Sequence, residues 1–80
     1  MIDKPAAPRE RVFKAGQVSF GRERVDRRVR NLSVTGAMIE IRTSDIIPRE
    51  IILDILSRGA RFRGHVVWRH HRRLSVAFDS

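Results

Sequence analysis

The sequence predicts an all-β fold: a small six-stranded antiparallel barrel over residues 11–80, preceded by a flexible N-terminal arm over residues 1–10. Three observations carry this. Apolar residues alternate with polar ones in six separate runs, the period of a strand with one buried face. Turn-forming residues punctuate the runs at close spacing, as in an antiparallel sheet whose strands follow one another directly. The chain has 80 residues, 41% hydrophobic and 32% charged, the composition of an ordinary folded domain. At that length it hides roughly 60–65% of its unfolded surface, enough for one modest core.

Taken in order, residues 1–8 hold two of the three prolines and read as a mobile leader. Val18 and Phe20 then alternate with Gln17 and Ser19, and Val25 and Val29 with Asp26, Arg28 and Arg30. Ala37, Ile39 and Ile41 share a face opposite Met38, Glu40 and Arg42. Ile51, Leu53 and Ile55 share another, followed by Phe62, Val66 and Trp68, and last by Leu74, Val76 and Phe78. Turns fall at 21–23, 33–36, 44–48, 57–59 and 70–72. One segment has a competing reading. Residues 44–56 also fit a helix capped by Ser44, with Ile46, Ile47, Ile51 and Leu53 on its apolar side and Pro48 tolerated in the first turn. The β-branched pair Ile51-Ile52 and the barrel's need for another strand favour a strand from about Ile51, with a single helical turn before Pro48 left open.

Composition narrows the function classes. The absence of cysteine removes disulfides, thiolate zinc sites and thiol redox chemistry. The N-terminus lacks the apolar stretch of a secretory signal and no run approaches membrane-span length, so a cytoplasmic location is expected. A formal net charge of +8 attracts phosphate groups in a nucleotide, a nucleic acid or a lipid headgroup. Arginine outnumbers lysine fifteen to two. Its planar fork grips guanine O6/N7 or phosphate bidentately, although a GC-rich genome produces the same skew without any function. His65, His70 and His71 do not make a metal site: His70 and His71 are adjacent, facing opposite ways on a strand, and His65 lies among arginines. Nothing marks a nucleophilic triad, paired carboxylates or a Gly-rich phosphate loop. A binding protein is expected, not an enzyme, with no metal and no cofactor.

The candidate site is the run Asn31-Leu32-Ser33-Val34-Thr35-Gly36. Asn31 and Ser33 are two apart, so on an extended chain their side chains share a face. Gly36 lets the backbone reverse or approach a bound group without a Cβ in the way. The plain alternative is a turn in which Asn31 and Ser33 bond only their own backbone. Upstream, Arg9 and Arg11 share a face of an extended segment and could fold guanidinium groups over the turn, or could belong to a solvated arm. Trp68, grouped with Phe62 and Val66, is expected to pack in the core; a platform for base stacking is its sharper alternative.

Asn31-x-Ser33-x-x-Gly36 resembles the (D/N)xSxxG motif of PilZ domains, bacterial receptors for cyclic di-GMP. The flanking text is similar too: Pro8-Arg9-Glu10-Arg11-Val12 before the first strand, Gly36-Ala37-Met38-Ile39-Glu40-Ile41 after the motif, and Val66-Val67-Trp68-Arg69 before the last strand. The resemblance implies a PilZ-type barrel that binds cyclic di-GMP through Arg9, Arg11, Asn31, Ser33 and Gly36 and passes the signal to a protein partner, as a monomer or weak dimer. Receptors of the family carry RxxxR in the N-terminal segment. Its second arginine aligns with Arg9, but Pro5 stands where the first would be, leaving Lys4 to supply charge from a shifted position. Two rival readings follow: a domain that has lost the nucleotide and acts only as an adaptor, and a basic barrel that binds RNA or DNA non-specifically. Against the second, Trp68 and the four phenylalanines are assigned to core positions, which leaves no aromatic platform outside.

Overall fold

A computed structural model describes the backbone of residues 10–79 and the side chains of residues 14–79. Six strands form: β1 (Glu10–Phe20), β2 (Glu23–Leu32), β3 (Gly36–Glu40), β4 (Glu50–Ile55), β5 (Ala60–His70) and β6 (Arg73–Phe78). They close into an antiparallel barrel in the order β1-β2-β3-β6-β5-β4. Closure comes from β1 meeting β4, with Gly16 opposite Ile55, Val18 opposite Leu53 and Ser19 opposite Ile52. The helix over 44–56 does not form. The connection between β3 and β4 is irregular, and the only helical turn among the described residues is a short 3-10 segment, Leu56–Arg58, which ends on Gly59 at φ 59°.

The six alternating runs become the six strands because each presents one apolar face to a shared interior. Val18, Val29, Ile39, Leu53, Ile55, Leu74 and Val76 are buried at its centre, and no buried residue among those described is polar or charged. Phe62 and Phe78 stack with ring centroids 4.2 Å apart and an interplanar angle of 7°, packing half-buried against this core. Two positions depart from simple alternation. Leu32, unassigned by period, is buried, whereas Trp68, expected inside, is 43% exposed. Both departures have the same cause: a β-bulge shifts β2 between Val29 and Asn31, and another shifts β5 between Val66 and Trp68. One extra residue exchanges the two faces for everything beyond it.

Arg27 occupies the third such exception. It falls between Val25 and Val29 on the inward parity of β2, yet its side chain is only 12% exposed and charged. Its fork solves the problem. Nε donates to Asp45 Oδ2 at 2.7 Å and Nη2 to Asp45 Oδ1 at 2.5 Å, while the Arg42 backbone N–H adds a 2.9 Å bond to the same carboxylate. A bidentate, charge-assisted pair of this kind is among the stronger polar contacts a protein makes. Arg69 grips the same connection from β5, donating to the carbonyl oxygens of Asp45 at 2.5 Å, Arg42 at 3.1 Å and Thr43 at 3.2 Å. The irregular segment after β3 is thereby fastened to β2 and β5.

The Arg27 guanidinium, assisted by the Arg42 N–H, holds the Asp45 carboxyl below its ordinary value of 3.8 against the opposing effect of burial. A carboxylate with a lowered folded pKa contributes stability that is complete above the unfolded value and is lost as pH falls through the folded one. Asp45→Ala should cost on the order of 3 kcal/mol at neutral pH, because it leaves the Arg27 charge buried without its partner. Asp45→Asn should remove part of the stability loss that the native protein shows below about pH 4 in urea titrations. Leu53→Ala, a truncation at the closure seam, should cost roughly 2–5 kcal/mol independently of pH.

Candidate functional site

The bulges define the site. Register partners link Arg11 to Asn31, Asn31 to Met38, Met38 to Ser75 and Ser75 to Trp68, a single row running across β1, β2, β3, β6 and β5. Residues directly opposite one another in antiparallel strands share a face. Without the β2 bulge Asn31 would follow Val29 into the interior, and without the β5 bulge Trp68 would follow Val66. A third register shift lies in β1 between Arg11 and Lys14, beside the same row. Asn31, Met38, Ser75 and Trp68, with Ser33, Thr35 and Gly36, line an open groove of about 340 Å³ on the outside of the barrel.

Each motif residue can be placed. Asn31 is half-buried, and its amide donates weakly to Met38 Sδ at 3.9 Å. Ser33 holds its own turn: its N–H donates to Gly36 O at 2.9 Å, and its hydroxyl accepts from the Thr35 N–H at 3.2 Å and meets Thr35 Oγ1 at 3.0 Å. A longer contact joins the Ser33 hydroxyl to Gly36 O at 3.4 Å. Thr35 O in turn accepts from the Phe78 N–H at 2.8 Å, which ties the turn to β6. Ser33 thus bonds within its own turn, as the plain alternative expects, whereas Asn31 bonds the Met38 side chain and not its own backbone; both line the groove.

Gly36 has a different reason from the one its position in a turn suggests. Its φ is not in the left-handed region, where the described glycines are Gly21 and Gly59. A Cβ at residue 36 would instead overlap the Val76 carbonyl oxygen and press on Ala77 Cα at 3.3 Å. The glycine is needed for β3 to lie against β6, whatever the groove holds.

Of the other expected site residues, Arg9 and Lys4 lie outside the described residues. Of Arg11 only the backbone is described, and it pairs with Asn31. Thr35, Met38, Ser75 and Trp68 were not assigned to the site by sequence. Thr35 carried a readable signal, a hydroxyl inside the motif; the other three depend on register. His65 Nδ1 pairs with Asp79 Oδ1 at 3.0 Å; His70 and His71 do not face opposite ways, because β5 ends at His70 and His71 sits in the turn at φ 53°, where the two rings meet edge-on at 4.3 Å. Among the described residues no three histidine, aspartate or glutamate side chains converge as metal ligands, and no helix is long and apolar enough to cross a membrane.

Gly36→Ala should destabilise the barrel by about 1–3 kcal/mol in denaturant melts, since the obstructing atom is backbone and cannot swing away. Trp68 is the single tryptophan, so its emission should be quenched readily by iodide in the native protein, where a core tryptophan would be shielded.

Comparison with curated proteins returns no match. Comparison with protein families matches the PilZ domain over residues 4–80, the whole barrel and the segment before it. With the closed six-stranded barrel and the Asn31-x-Ser33-x-x-Gly36 turn at its outer groove, the chain belongs to the PilZ domain family, whose members are cyclic di-GMP-binding and adaptor domains and not a catalytic class.

Proposed function

We propose that this PilZ domain is a cyclic di-GMP receptor that passes the level of the second messenger to a protein partner. The observation that carries the reading is the register row that puts Asn31 and Trp68 in one groove with Ser33 and Gly36, and sets the Arg11 backbone opposite Asn31. In this reading Trp68 offers its exposed ring to a guanine face, Asn31 and Ser33 bond guanine edges and phosphate oxygens, and N–H groups near Gly36 supplement them. Arg9 and Arg11 fork onto guanine, at about 1–3 kcal/mol for each good bidentate contact. Lys4 adds a point charge for phosphate where Pro5 replaces the first motif arginine. Engagement of the ligand by Arg9 and Arg11 changes the surface offered to the partner.

The exposure of Trp68 also removes the sequence argument against a nucleic-acid surface. A single aromatic on one groove nevertheless suits one base better than the successive platforms that follow a strand. Salt separates the two, because polynucleotide binding falls far more steeply with ionic strength than binding of one or two dianions.

Calorimetric titration of cyclic di-GMP at physiological salt, with GTP as control, tests the proposal. Saturable binding at micromolar or lower concentration is expected, accompanied by quenching of Trp68 emission. Trp68→Ala should weaken it by roughly tenfold to a hundredfold, the worth of one stacked base, and Arg9→Ala and Ser33→Ala should weaken it as well. Absence of heat at high protein concentration would leave a PilZ adaptor without its nucleotide.

A further inference from the structure

A second concavity, about 520 Å³, lies on the outer face beside the groove, lined by Arg30, Glu40, Arg42, Thr43, Arg72 and Arg73. Its position follows from register. Glu40 is two residues beyond Met38 on β3 and Arg73 two before Ser75 on β6, and the two are partners. The basin is therefore the next outward row, about 7 Å along the strands. Arg30 donates to Glu40 at 2.6 Å, which occupies the one carboxylate in the lining. Arg42, Arg72 and Arg73 are all exposed, so the basin is strongly positive.

Two further features set it apart from an ordinary solvated charge cluster. The backbone that carries Arg42 and Thr43 is held by Arg69 on their carbonyl oxygens and by Arg27 through Asp45. Its arginines thus project from a fastened segment and lose less freedom on binding than those of a mobile loop. Beyond Asp45, Ile46 is 88% exposed, the most exposed large hydrophobic residue described. Ile46 stands outside the lining, three residues beyond Thr43; a phosphodiester chain has no use for it, whereas an acidic polypeptide carrying an apolar side chain complements both the arginines and the isoleucine.

The geometry points to this basin as a docking surface for an acidic segment of a partner protein, with Arg42, Arg72 and Arg73 pairing its carboxylates and Ile46 taking an apolar side chain. The assignment rests on the adaptor part of the function proposed above and is independent of the nucleotide.

The test is an amide chemical-shift titration of the full chain, isotope-labelled and free of nucleotide, with a glutamate-rich peptide containing one leucine. Oligo-dT and inorganic phosphate are run alongside. Saturable shifts should centre on Arg42, Thr43, Ile46, Arg72 and Arg73. Arg42→Glu/Arg72→Glu should weaken the peptide by at least about tenfold, whereas the same reversal at exposed Arg22 and Arg24 should leave it nearly unchanged. If the reversed pair melts early, Arg42→Gln/Arg72→Gln should still weaken binding severalfold. The inference is overturned by unsaturable or evenly spread shifts, by equal loss from both reversals, or by shifts centred on 31–36. Tighter binding of oligo-dT would make this a nucleic-acid surface, and phosphate matching the peptide would make it a simple anion site; either outcome also overturns it. Because no nucleotide is present, these results stand apart from the calorimetric test of the groove.

Discussion

The pairing of β1 with β4, residues 16–19 against residues 52–55, turns a six-stranded sheet into a tube. A tube this narrow has an inside that only side chains can fill and an outside that takes everything else. Among the described residues, eleven apolar ones occupy the inside and the arginines are sent outward, apart from Arg27, which reaches a carboxylate. That partition follows from hydration: an unpaired guanidinium in the interior would cost far more than the modest core of an 80-residue domain returns. Every other feature of the molecule is arranged around this division.

A rigid in-and-out alternation leaves little freedom to assemble a site, since the parity that builds the core also determines which residues reach the surface. The barrel gains that freedom by breaking step. Register shifts in β1, β2 and β5 all lie beside one row, and those in β2 and β5 bring Asn31 and Trp68 to the outside, the first also returning Leu32 to the core. The groove is thus made from strands, whose positions are set by ladders of hydrogen bonds, and from one turn that is bonded internally and to β6. The arginine clamp on the β3–β4 connection does comparable work at the neighbouring basin, since two side chains replace the regular backbone pairing that segment lacks.

Much of this was legible in the sequence. Six alternating runs gave six strands, the turn residues fell between them, and the Asn31, Ser33 and Gly36 spacing located one wall of the groove. The opposite wall was not legible. Counting Trp68 with Phe62 and Val66 assumes an unbroken period of two, and a bulge is a property of the pairing between β5 and β6 that no local composition announces. Leu32 was missed for the same reason in β2. Alternation alone gives Arg27, on the inward parity between Val25 and Val29, no role, because its partner Asp45 lies eighteen positions away. The motif marks the position of Gly36, but the close backbone of Val76 that requires a glycine there arrives only with β6.

Closure has one more consequence. Each of the six strands has a neighbour on both sides, so among the described residues one-sided pairing is confined to stretches such as 10–15 of β1 and 23–28 of β2. Strand addition, by which many small β domains capture peptides or stick to one another, has only those short stretches to use. Over the rest of the barrel, recognition falls to side chains standing on the outer surface, with backbone groups available at turns such as 33–36. Those side chains can be exchanged without disturbing the hydrogen-bond ladder, so the same barrel can acquire new specificities by surface substitution.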